Sequence, residues 1–385
     1  MESMDLANAR PPARGPRPEF WSGKRVLLTG HTGFKGAWTA LWLSRLGARV
    51  VGFALPPDRP GTLYAAANVG EACRSEIGDI RDRARVEAVV RDSRPQVVIH
   101  MAAQALVRRS VADPVGTFST NVLGTVNLLE TLRRADELTG VLVVTSDKVY
   151  RNRGHLCDED AALGGADPYS ASKAACEHVA SSFAATYFAA SGVRLATARG
   201  GNVIGGGDRS EDRIVPDCVR ALESGQPVLL RNPDAVRPWQ HVIDCVNGYL
   251  MYVERLASAP DRAALPRALN FGPAPGQQLC VRELVALFFE ALGRSPGAIH
   301  GSDGDDIEAQ ALLLDSSRAG ACLGWRCLLS QREAVTWTAD WYQGVRAHPD
   351  AARALAEQQI GTFSQRLAGS ACVDRTSVPR AAEAG

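Results

Sequence analysis

The chain has 385 residues, 43 Lys and Arg against 42 Asp and Glu, a net charge of +1 and 45% hydrophobic residues. That balance gives no electrostatic reason to expect a nucleic-acid or membrane-surface partner, and the length suffices for one large domain or two smaller ones. The nine cysteines (Cys73, Cys157, Cys176, Cys218, Cys245, Cys280, Cys322, Cys327 and Cys372) form no CxxC pair, so they read as free thiols of a reducing cytoplasm rather than a disulfide framework or a metal site.

Residues 1–22 are polar, rich in Pro and Arg, and lack the apolar core of a signal peptide; they are expected to be a disordered tail. No later apolar run approaches the length of a membrane span. Lys24 to Thr29 is a short apolar run that stops at glycine and predicts a buried parallel strand. Gly36 to Leu46 carries apolar residues at helical spacing, and Arg49 to Ala54 predicts a second strand. Then come a helix at Arg83 to Val90, a strand at Val97 to His100, a long helix at Val115 to Leu132 and a strand at Val141 to Thr145. Tyr169 to Ala190 predicts another long helix, and Arg194 to Arg199 a strand. Such alternation is the signature of βαβ units, so the fold class is α/β, a Rossmann-type doubly wound parallel sheet.

The dinucleotide-binding domain is expected over 23–202. The pattern loosens after Asn202, which predicts a smaller substrate-binding region over 203–345. Parts of it near 242–253 and 269–271 are expected to return to the main sheet. A C-terminal helix and tail would occupy 346–385. There is no internal repeat.

Gly30-His31-Thr32-Gly33-Phe34-Lys35-Gly36 lies between the first strand and the first helix. Glycines at this spacing allow a tight turn and close backbone approach, and free N–H groups at the helix start suit a pyrophosphate. This makes Gly30, Thr32, Gly33, Phe34 and Gly36 candidate cofactor contacts, with His31 packing near the phosphates. The second strand runs into Gly52-Phe53-Ala54-Leu55 without the usual acid for the ribose. Asp58 comes late and Arg59 beside it could attract a 2′-phosphate, so NAD and NADP both stay open on this ground. In Gly78 to Asp82, Asp79 is expected near the adenine, and Asp82 reads equally as a solvated turn.

Tyr169 and Lys173 form a YxxxK pair at a helix start, one turn apart on one face. An ammonium near a phenol favours the phenolate, which makes Tyr169 a candidate base toward a sugar hydroxyl. The strand ahead of it ends in Thr145-Ser146-Asp147-Lys148, where a hydroxyl could complete a Ser-Tyr-Lys set. Asp147 also reads as a helix cap and Lys148 as a surface charge, because a lysine base needs a pKa depressed by burial. Arg213, Arg237 and His241 suit a diphosphate or nucleotide. Trp239 and Tyr249 read as packing residues, and His100 and His178 as structural.

The glycine loop with the Tyr–Lys pair resembles the extended short-chain dehydrogenase/reductase superfamily over roughly residues 23 to 345. The acid and base directly after Ser146 resemble the nucleotide-sugar 4,6-dehydratases, and the Ser-Asp-Lys version looks like the branch acting on CDP-glucose. Ala102-Ala103-Gln104, Val107 to Ser110, Asn121 to Thr125, Gly201 to Asp208, Arg231-Asn232-Pro233 and Arg237 to His241 carry the same likeness. Val149, Arg151 and Gly200 depart from it.

The resemblance implies a catalytic set of Ser146, Asp147, Lys148, Tyr169 and Lys173. It adds Asp79, Ile80, Ala102, Ala103, Asn121 and Thr145, with Tyr169 and Lys173, to the contacts of a tightly bound NAD. It assigns Gln104, Asn202, Arg213, Arg237 and His241 to a nucleotide-sugar substrate, CDP-glucose in this branch, with no metal. It also implies a homodimer. A 4-epimerase or another nucleotide-sugar dehydratase is the alternative within the fold, although an epimerase would not need Asp147 and Lys148. A non-catalytic dinucleotide sensor is the alternative outside it, but such sensors tend to lose the Tyr–Lys pair.

Overall fold

In a computed structural model the chain is described over residues 14–151, 154–258, 265–274, 276, 278–295, 299–301 and 313–373. Seven strands form one sheet: β1 (Arg25–Thr29), β2 (Arg49–Ala54), β3 (Arg74–Ile77), β4 (Val97–His100), β5 (Gly140–Val144), β6 (Arg194–Gly200) and β7 (Ala268–Phe271). They lie in the order β7-β6-β5-β4-β1-β2-β3, all parallel. The order reverses between β1 and β4, and a crevice opens outside the strand ends at such a switch point.

Both faces of the sheet are covered, which is why its strands read as continuous apolar runs. Helices α1 (Phe34–Arg45), α2 (Arg83–Ser93), α3 (Gly124–Leu132) and α4 (Pro168–Phe183) belong to the crossovers; α5 (Ile214–Ser224), α6 (Val242–Ser258), α7 (Val281–Ala291), α8 (Gln331–Ala347) and α9 (Ala352–Val373) follow. On one face Val26 and Leu28 pack with Trp38, Trp42, Val246 and Leu250. On the other, Leu27, Val98, Val141 and Val143 pack with Val86, Val89, Leu128 and Leu129. Each such fully buried side chain contributes about 1.5–3 kcal/mol relative to exposure.

Several expectations change. β3 is absent from the sequence reading, because Arg74-Ser75-Glu76-Ile77 is polar; it survives as a sheet edge, where one side meets water. The long helix expected from Val115 begins at Pro114 and passes through a π-helical stretch, Ser119–Leu123, before α3. The residues around 242–253 form α6 against the sheet, and Leu269 to Phe271 lie in the edge strand β7.

The expected disordered tail does not extend to residue 22. Pro18–Trp21 is a helical turn, Trp21 is fully buried, and its indole Nε1 donates to Glu254 at 3.0 Å. Arg17 pairs with the same carboxylate. An aromatic that large fills a hole between helices and fixes the segment. Residues 1–13 and 374–385 lie outside the described residues. No described helix is long and apolar enough to cross a membrane.

Candidate active site

A cleft of about 630 Å³ runs along the switch point and on toward α5. The glycine loop lines one part of it. Gly30 has φ +79°, and a Cβ there would sit 2.7 Å from the Ala102 nitrogen. A Cβ at Gly36 would come 2.0 Å from the Gly30 carbonyl oxygen, so α1 can start against the loop only without a side chain. Gly33 caps α1 with no side chain, leaving the first N–H groups of the helix open to the cleft. A cradle of this kind fits a pyrophosphate. Thr32 Oγ1 donates to the Leu55 carbonyl at 2.8 Å and ties the loop to the end of β2. His31 lies beneath the loop against Ser75 at 2.7 Å, and burial lowers its pKa to about 4.

Thr32, Gly33, Phe34, Asp79, Ile80, Ala102 and Ala103 all line the cleft. Both Asp79 oxygens are taken by Arg81, whose guanidinium holds the carboxyl below its ordinary range. Asp58 and Arg59 also line the cleft, and each is paired, Asp58 with Arg109 at 3.7 Å and Arg59 with Glu211.

Asn121 is not a wall of the cleft. It is buried on the π-helical stretch, accepts from the Gln104 N–H at 2.8 Å and donates to the Gln104 carbonyl and to Ser172. It therefore holds the loop after β4 against α4. Gln104 lines the cleft, but its side chain is occupied by Thr117 and by both backbone groups of Leu106.

The catalytic candidates converge where β5 meets α4. Asp167 caps α4 through Ser170, and the Tyr169 N–H donates to Ser110 at 3.0 Å, which fixes the first turn. Lys173 Nζ donates to the Val144 carbonyl at 3.0 Å. The Ser146 hydroxyl donates to Asp147 Oδ1 at 2.9 Å and accepts from the Lys148 N–H at 3.2 Å. Asp147 is 3% exposed and its Oδ2 has no partner among the described residues. Lys148 is half-buried on the cleft wall.

The electrostatics differ from expectation. Burial pushes the Tyr169 phenol up, against the opposing pull of the neighbouring Ser146 hydroxyl and the charge of Arg213. Lys173 is itself pushed down by burial and directs its ammonium at a carbonyl.

On the far side, Asn202, Arg213 and Arg237 line the cleft together with Arg108, Arg109 and Arg231. Arg213 also reaches the Ala105 carbonyl at 3.2 Å. His241 does not belong there. It is fully buried between Trp38 and Trp337, its Nδ1 accepts from the Ile243 N–H, and burial drives its pKa to about 3. The sequence reading missed Glu177, which accepts from Thr145 at 2.5 Å and from Thr197 at 2.7 Å and pairs with Arg199. The signal was present: an acid one turn beyond Lys173 on the same helix face. Gly200 is explained by Tyr249, whose hydroxyl would lie 2.2 Å from a Cβ there.

A family model described as the NAD dependent epimerase/dehydratase family matches residues 26–272. CDP-glucose 4,6-dehydratase of Salmonella typhimurium (strain LT2) is 40% identical over 336 residues, covering 84% of this chain and 93% of that protein. Among solved structures, a double mutant of the dTDP-glucose 4,6-dehydratase DesIV from Streptomyces venezuelae, with NAD bound, superposes with a TM-score of 0.70. It is 25% identical and covers 84% of this chain and 98% of that one. The UDP-glucose 4-epimerase of Thermus thermophilus, in complex with NAD, gives 0.71 at 28% identity, with 83% of this chain and 99% of that one covered.

Proposed function

The chain belongs to the NAD dependent epimerase/dehydratase family, and within that family we propose that it is a CDP-glucose 4,6-dehydratase, a hydro-lyase. The overall conversion is CDP-glucose to CDP-4-keto-6-deoxyglucose and water. The observation that carries this reading is the Ser146-Asp147-Lys148 turn beside the Tyr169–Lys173 pair on the wall of one cleft, in a chain 40% identical to such an enzyme. The 4-epimerase and sensor readings leave an acid and a base at this turn without a task.

The glycine cradle, Ile80, Ala102, Ala103 and Thr145 would hold NAD. When bound, NAD supplies reversible two-electron chemistry, taking hydrogen from the sugar C4 and giving it back at C6. The protein does the rest. Tyr169 takes the proton of the 4-hydroxyl, and Ser146 holds the 4-oxygen by hydrogen bonding. Lys173 orients the cofactor-side wall through its anchor on β5. The resulting 4-ketone acidifies the C5 proton, which Lys148 accepts, either directly or by positioning a water. Asp147 donates a proton to the departing 6-hydroxyl, which leaves as water; its partnerless Oδ2 is the oxygen free to do so. After exchange with solvent, Lys148 delivers a proton to C5 as C6 is reduced, and solvent exchange moves the proton on Tyr169 back to Asp147. Arg213 and Arg237 hold the diphosphate. Arg213, Arg231, Arg237 and Val281, all on the cleft wall, support a substrate-binding region that begins after Asn202.

We also propose a homodimer. Val111, Val115, Phe118, Leu123 and Tyr187 expose apolar side chains on the helices beside the site, with Val115 78% and Leu123 58% exposed. The eight described cysteines are free thiols, which fits a reducing cytoplasm.

The test is direct. Purified protein is incubated separately with CDP-, dTDP-, UDP- and GDP-glucose and NAD, and 4-keto-6-deoxy product is assayed. Product from CDP-glucose first among the four is expected. A 4-epimer, or product only from another nucleotide, would overturn the reading.

A further inference from the structure

Resting on that reading, we propose that Tyr150 is a positioning residue for the elimination half of the reaction, anchoring the rear of the turn that carries Asp147 and Lys148.

The turn Asp147–Val149 is tethered at both ends, to different parts of one buried network. At its front, Thr145 Oγ1 donates to Glu177 Oε1 at 2.5 Å. At its rear, Tyr150 is 3% exposed, and its hydroxyl donates to Asn270 Oδ1 at 2.6 Å and accepts from Arg199 Nη1 at 2.8 Å. Arg199 Nη2 closes the ring by donating to Glu177 Oε2 at 2.8 Å. The partners of Tyr150 are themselves immobilised. Asn270 lies in β7, is fully buried, and donates its amide to the Cys157 and Asp315 carbonyls. Arg199 lies in β6 and also donates to the Glu159 carbonyl at 3.0 Å. Burial pushes the Tyr150 phenol up, so it stays protonated and keeps donating to Asn270.

Tyr169 and Lys173 hang from other supports. Their anchors are Ser110, Asp167 and the Val144 carbonyl, none of which touches Tyr150. Ser146 and Glu177 join the oxidation and elimination groups at the front of the turn, whereas the rear anchor at Tyr150 bears on the Asp147–Val149 side alone. A side chain displaced by about 1 Å can lose a factor of about a hundred in rate, so the rear tether acts on elimination selectively.

Tyr150→Phe removes one hydroxyl and keeps the ring. CDP-6-deoxyglucose, which has no leaving group, isolates C4 oxidation as the rise in reduced-nicotinamide absorbance. With this analogue the variant should stay within about twofold of wild type, while 4-keto-6-deoxy product from CDP-glucose and solvent deuterium uptake at C5 both fall about tenfold or more. Asn270→Ala withdraws the acceptor and leaves the phenol, and should repeat that split. Thr197→Val loosens Glu177, which serves both α4 and the front of the turn, while leaving Tyr150 and Asn270 in place, and should change both rates by one factor. Equal loss of oxidation and elimination in Tyr150→Phe, no loss of either, or the same selective loss in Thr197→Val would overturn the inference. Wild-type protein that makes no keto sugar from CDP-glucose would instead remove the reading beneath it.

Discussion

Asp147 and Tyr169 both neighbour Ser146, and their proposed tasks lie two carbons apart, at the 6- and 4-hydroxyls of the sugar. Asp147→Asn keeps the size and the Ser146 contact but cannot supply a proton, so C4 oxidation should proceed while water loss drops by at least about a hundredfold. Tyr169→Phe should block oxidation itself, so neither keto sugar nor reduced cofactor appears. A normal turnover in the Asn variant would remove the acid assignment, and unchanged oxidation in the Phe variant would remove the base. Their shared place on the cleft was legible in the sequence because it follows from local spacing, a helical turn in one case and adjacency to Ser146 in the other. His241 was misread for the opposite reason. A histidine close to Arg237 resembles a phosphate contact in one dimension, but its ring turns inward between Trp38 and Trp337. Asn121 lies behind the cleft, bonded to Gln104 and Ser172, while Gln104 lines the cleft with its amide held by Thr117 and Leu106.

The elements β1, β2, β4, β5 and β6 were readable because strands buried on both faces must be continuously apolar. β3 was not, since an edge strand tolerates polar residues. Nor were the helices after Asn202, where glycine and proline blur the period and packing between elements decides the ends. What holds these elements together also sets a pH response. His100 and His241 are buried and held near 3, well below the ordinary 6.5, and His31 is held near 4. The unfolded chain takes up these protons as pH falls through 6.5 and the folded chain does not. Their stabilisation is therefore complete above 6.5 and is lost on acidification, by roughly 2 kcal/mol for each of His100 and His241 at about pH 5. Asp244 opposes this. Burial pushes it up to about 7, so its share is present below the unfolded value and lost as pH rises through about 7. Denaturant melts between about pH 8 and 5 should show a net loss of stability on acidification, and Asp244→Asn should steepen it. A flat profile in both proteins would contradict the burial of these imidazoles.

At the scale of the molecule, the sheet order places the glycine loop after β1 and the Ala102-Ala103-Gln104 loop after β4 on either side of the switch point, and the Ser146 turn and α4 complete the cleft next door. The alternation of strands and helices predicted that arrangement from the sequence. The Pro18–Trp21 turn could not be foreseen, because its fold depends on Glu254, more than two hundred residues away. The whole arrangement amounts to one claim: oxidation and reduction occur on the same sugar in one binding event. CDP-glucose carrying deuterium at C4 and a separate carbon label, mixed with unlabelled CDP-glucose, tests it most directly. The expected product carries deuterium at C6 only in molecules that also bear the carbon label. Deuterium retained at C4, lost to water or scattered onto unlabelled sugar would contradict it.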